Sequence, residues 1–181
     1  MIDKEKAVRT FLCQVNRLSM LPLIADDETG KLFGEEVTAA LNVLSRYDDE
    51  KRLCQNCLQR CCLVAKCELY STQFGRCPIY EFRPVVCRFH FCRSFQVDYA
   101  ALVTELSDTF FDCLLTAEKE GYPAVKLFDS PPLARSLPST ISKITSWVQQ
   151  VETGTLEAEE GMRLVHLAVE KHFASGRNQP S

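Results

Sequence analysis

Cys54-Gln-Asn-Cys57-Leu-Gln-Arg-Cys61-Cys62-Leu-Val-Ala-Lys-Cys67, followed by Cys77, Cys87 and Cys92, places eight of ten cysteines within 39 of the chain's 181 residues. A thiolate is a soft, anionic ligand. A set this dense can hold zinc, build an iron-sulfur cluster, pair as disulfides or act as redox thiols. The stretch shows no long hydrophobic period, and Gly75, Pro78 and Pro84 break it into loops and short turns. Ligation, more than packing, is expected to fix its shape.

Outward from this stretch the chain reads as helix. Val8, Phe11, Leu12, Val15 and Leu18 recur at i, i+3, i+4, i+7 spacing, and Val37, Leu41 and Leu44 continue through Tyr47 toward the first cysteine. Beyond it come Leu102, Leu106, Phe110, Cys113 and Ala117, then Ile141, Ile144, Val148 and Val151, then Met162, Val165, Val169 and Phe173. The expected fold is mainly α, with helices flanking a loop-rich central cysteine cluster that wraps a metal centre. Residues 1–174 are expected to form a single domain in which 52–95 is the metal-binding cluster, with 175–181 a disordered tail. Asp26-Asp27-Glu28-Thr29-Gly30 reads as a solvated turn. Asp129 to Pro138 reads as a proline-stiffened connector, and Thr155, with Glu157, Glu159 and Glu160 behind it, as an N-cap.

Met1-Ile2-Asp3-Lys4-Glu5-Lys6 mixes acids with bases and precedes no apolar run, so no export signal is expected. No apolar stretch approaches the roughly 20 residues that cross a bilayer, and no lipidation motif is present, so no membrane partner is expected. The expected location is cytoplasmic, where thiols stay reduced, and this favours a metal site over disulfides.

Charge is concentrated on the same stretch. Residues 51–93 carry Lys51, Arg52, Arg60, Lys66, Arg76, Arg83, Arg88 and Arg93 against Glu68 and Glu81, a formal +6 in a chain of net charge −3. A tetrathiolate zinc site or cubane carries a formal charge near about −2, which interleaved arginines would offset while donating hydrogen bonds to sulfur. The alternative, a nucleic-acid footprint, is disfavoured. Counting the thiolates cancels most of the positive field, and no helix sets consecutive bases on one face.

The C-x2-C step from Cys54 to Cys57 lets two sulfurs converge on one metal through a tight turn. Cys61 is one helical turn beyond Cys57, while the adjacent Cys62 must point elsewhere. That geometry suggests a polynuclear centre or two nearby sites, completed by Cys67, Cys77, Cys87 and Cys92.

Cys54-x2-Cys57-x3-Cys61-Cys62, followed by Cys77-Pro-Ile-Tyr80, Arg83-Pro84 and Cys87-Arg88-Phe-His-Phe-Cys92, resembles the YkgJ-like CxxCxxxCC cysteine-cluster proteins, zinc- or iron-chelating domains. The resemblance spans residues 54–92 and leaves the flanking helices uncovered. It implies bound zinc or iron. A flagellin lysine methylase has a similar cluster, which keeps open an alternative: a redox or group-transfer, methyltransferase-related enzyme or subunit using an iron-sulfur centre. Zinc and iron-sulfur both suit an all-cysteine ligand set, and the spacing matches neither a zinc finger nor a ferredoxin run.

Around the eight ligand candidates, Arg83 and Arg88 are the candidates for supporting the bound centre. Tyr80, Phe82, Phe89 and Phe91 are candidates for an apolar jacket. His90, the one imidazole between Cys87 and Cys92, is a candidate ligand or proton carrier, a reading disfavoured against an exposed or packed residue. His166 and His172, six residues apart and so not on one helical face, read as structural or surface residues. Cys113 falls on an apolar stripe and Cys13 off one; neither is assigned to metal. Trp147 and Phe173 read as packing anchors. No phosphate loop, Ser-His-Asp set or zinc-protease motif is present, so no catalytic residue is assigned.

Overall fold

The computed structural model describes residues 1–18, 23–57, 60–122, 131–133 and 138–177, with the backbone alone given at 16–18, 60 and 175–177. It is mainly helical, and among the described residues there is no strand beyond an isolated antiparallel bridge between Leu23 and Pro84. Among the described residues the helices are α1 (Lys4–Leu18), α2 (Asp26–Phe33), α3 (Glu35–Lys51), α4 (Leu53–Asn56), α5 (Arg60–Val64), α6 (Val85–Arg88), α7 (Arg93–Lys119), α8 (Pro138–Glu152) and α9 (Ala158–Arg177), with a 3₁₀ turn at Tyr80–Phe82. Two compact units form, each from two separate segments: residues 1–53 with 83–129, and 54–82 with 130–181. The division falls inside the cysteine stretch, after Phe82.

In the first unit α1 packs on α2 and α7, and α3 packs on α2 and α7. Asp3 begins α1 by accepting the Lys6 amide at 3.0 Å, a side-chain cap. The apolar spacing delivers Phe11, Val15, Val37, Leu44, Leu106, Phe110 and Ala117 to the core. A chain of rings runs through it: Phe11 to Phe33 at 5.3 Å, Phe33 to Phe89 at 4.9 Å, and Phe89 to Phe110 at 4.6 Å. Burying each such side chain stabilises the unit by about 1.5–3 kcal/mol.

One expectation is corrected here. The acidic run Asp26 to Gly30 is not a solvated turn but the opening of α2, with Glu28 and Thr29 buried. Three acids in a first turn face the positive end of the helix dipole, and the Glu28 carboxylate accepts the Ala25 amide at 2.9 Å.

The second unit is built on the α8–α9 pair, with Ile141, Ile144, Val151, Val165, Val169 and Phe173 inside. Gly161 lets the helices approach: a Cβ there would meet Val151 Cγ2 at 2.3 Å and Phe74 at 3.4 Å. Phe74 belongs to the segment between Cys67 and Cys77, so α9 also seats that segment. Thr155 is not the N-cap of α9, which begins at Ala158. Its amide and hydroxyl donate to the Gln150 carbonyl, closing the end of α8 around Gly154, whose φ of +72° only glycine adopts without strain. Helix α9 continues to Arg177. Residues 178–181 of the expected tail and most of the 129–138 connector lie outside the described residues.

Candidate metal centre

Six of the eight clustered cysteines, Cys54 to Cys77, belong to the second unit, and Cys87 and Cys92 to the first. All eight are half-buried, in contrast to the exposed Cys13 and the buried Cys113. Cys54 lies on α4 and Cys57 just beyond it, where the Cys57 thiol donates to the Cys54 carbonyl at 3.3 Å. The C-x2-C step is therefore a tight turn. Cys61 and Cys62 follow on α5.

A left-handed residue, Lys66 at φ +50°, ends α5. The Lys66 amide donates to the Leu63 carbonyl at 3.1 Å, and the Cys67 amide to the Cys62 carbonyl at 3.0 Å, a Schellman closure. It turns the backbone of Cys67 over that of Cys62. Tyr70 follows, its amide donating to the Cys67 carbonyl at 3.2 Å. Burial pushes the Tyr70 phenol above its usual pKa, and the negative charge of Cys62, Cys57 and Glu152 raises it further. At neutral pH the phenol keeps its proton and remains a hydrogen-bond donor. The Glu152 carboxylate, at the end of α8, accepts from the Ser71 hydroxyl and from the Thr72 amide at 3.0 Å, holding the turn after Tyr70 to α8.

The turn that begins at Cys77 rests on α9. His166 Nδ1 is 3.1 Å from the Pro78 carbonyl oxygen and 3.9 Å from the Glu81 carboxylate. Phe82 packs on the His166 ring at 5.5 Å and on Phe173 at 5.2 Å.

In the first unit Cys87 lies on α6 and Cys92 at the N-cap position of α7. Arg88, between them, is buried. Its guanidinium pairs with Asp26 and donates to the Ile24 carbonyl at 2.6 Å, so it fastens α6 to the start of α2. The four aromatics divide. Phe89 stacks into the core of the first unit, Phe91 meets the edge of Phe95 at 5.7 Å, and Phe82 and Tyr80 belong to the second unit. Arg83 is half-buried and His90 exposed.

Among the described residues no three His, Cys, Asp or Glu side chains gather closely enough to hold a metal ion. The structure thus supplies donors of fitting chemistry, half-buried on short helices and turns, without an assembled ligand set. Among the described residues no helix is long and apolar enough to cross a membrane. Sequence reading missed Tyr70, which lies inside the cysteine stretch, and Glu152, which reaches it from the end of α8; His166, read as a structural or surface residue, contacts Pro78 and Phe82. Comparison with family models, curated proteins and solved structures finds no match.

Proposed function

We propose that this chain is a metal-binding protein that chelates zinc or iron, an iron-sulfur cluster included, through Cys54, Cys57, Cys61, Cys62, Cys67, Cys77, Cys87 and Cys92. The observation that carries the reading is the density and spacing of these cysteines, a C-x2-C-x3-CC opening with four more sulfurs inside 39 residues. Its resemblance to the YkgJ-like cluster points the same way. The half-burial of all eight supports it, because a metal thiolate is stabilised by partial exclusion of water and remains loadable. So does the placement of Cys54, Cys61 and Cys62 on the short helices α4 and α5, elements with little apolar face of their own, for which ligation supplies the missing constraint.

Bound metal would supply charge neutralisation and a covalent tie among the thiolates. Tyr70, whose amide donates to the Cys67 carbonyl, contributes a phenol that keeps its proton within the cysteine stretch. Changing Cys57 or Cys87 to Ser is expected to lower metal content and thermal stability together, since ligation and folding are coupled. Cys13→Ser should change neither. Full metal occupancy in both cluster variants would refute the proposal.

A further inference from the structure

We infer that His166 is the residue on which the Cys77 turn is seated, so that α9 positions the Cys77 sulfur for metal binding. The inference rests on the metal-binding reading above and assigns a positioning residue to it.

A carbonyl oxygen can only accept, so the 3.1 Å contact between His166 Nδ1 and the Pro78 oxygen fixes the hydrogen on Nδ1. Pro78 directly follows Cys77, and its ring removes one backbone torsion at that point. Anchoring its carbonyl therefore restrains the backbone that carries the sulfur. The far end of the same turn is held by the same side chain, through the contact of Phe82 with the imidazole at 5.5 Å and with Phe173 at 5.2 Å. One imidazole thus grips residues 78 and 82 of a segment whose first residue is a candidate ligand. Pro78 and Ile79 are themselves buried, so the turn is seated rather than hung from the surface. A support of this kind keeps a ligand oriented, and its loss weakens metal affinity by about 10- to 100-fold.

The test uses the full chain freed of metal and loaded with cobalt(II), whose visible and thiolate charge-transfer bands report the number and arrangement of sulfur ligands. Release of cobalt to a competing chelator is timed, and the thermal midpoint recorded. His166→Phe keeps a ring against Phe82 but lacks the donor, whereas His166→Asn restores a donor near the Nδ1 position. Expected are altered bands and release at least about 10-fold faster in His166→Phe, with recovery in His166→Asn. Cys77→Ser should weaken the sulfur bands by the share of one ligand. If Cys77→Ser weakens them while His166→Phe matches the parent in bands and release, the positioning role is overturned and metal binding stands. Recovery of the midpoint but not of the bands in His166→Asn would also overturn it. If neither Cys77→Ser nor Cys57→Ser changes the bands, the metal-binding reading itself fails.

Discussion

Arg88 donates to the backbone carbonyl oxygen of Ile24 at 2.6 Å, from a side chain 5% exposed. The ion pair with Asp26 shares that guanidinium, but the Asp26 side chain is 62% exposed and water screens it. The buried carbonyl is therefore the costlier partner to abandon. Arg88→Met should destabilise the chain by about 1–3 kcal/mol through the orphaned acceptor. Asp26→Asn should cost no more than about 1 kcal/mol. Urea titrations of the two variants check the order.

Gly161→Ala sets a methyl group 2.3 Å from Val151 Cγ2. Overpacking costs about 1–3 kcal/mol, more than the gain of up to about 1 kcal/mol from replacing a helical glycine. The variant should melt below the parent. Placing it in a Val151→Ala background removes the obstructing methyl, and the penalty there should shrink or vanish.

Cys13 and Cys113 should differ in reactivity. Burial pushes the Cys113 thiol up to about 12, whereas the Cys13 side chain is open to solvent and to reagent. Under native conditions at neutral pH, mass spectrometry after alkylation should find Cys13 modified and Cys113 intact until denaturant is added.

His172, on α9, has a pKa lowered by burial, with Thr140 Oγ1 3.3 Å from its Nδ1. The folded chain favours the neutral ring. Its contribution is complete above the unfolded value of about 6.5 and is lost as the pH falls through the folded value, because the unfolded chain protonates first. Between about pH 7.5 and about pH 5 the parent should lose more stability than His172→Gln. Denaturant midpoints at the two pH values provide the comparison.

The helices were legible because apolar period is local information: Phe11 and Val15, or Leu106, Phe110, Cys113 and Ala117, announce their faces within a few turns. Two local features misled. Asp26 to Glu28 looks like a solvated loop until the helix dipole is seen to favour it, and Thr155 closes α8 instead of opening α9. Within the candidate site the cysteines were legible and their supports were not. Ser71 meets Glu152 across 81 positions, and Pro78 meets His166 across 88, separations at which no spacing rule operates. Arg88 was readable as a basic residue between two cysteines, but its engagement with Asp26 and Ile24 depends on where α2 begins.

The central claim rests on what the cysteines hold. The most direct measurement is zinc, iron and acid-labile sulfide per chain, in protein purified without oxygen and without a metal-affinity step. Metal binding predicts about one or more metal ions per chain, as zinc alone or as iron with matching sulfide. Protein that is folded, fully reduced and free of both metals would contradict it.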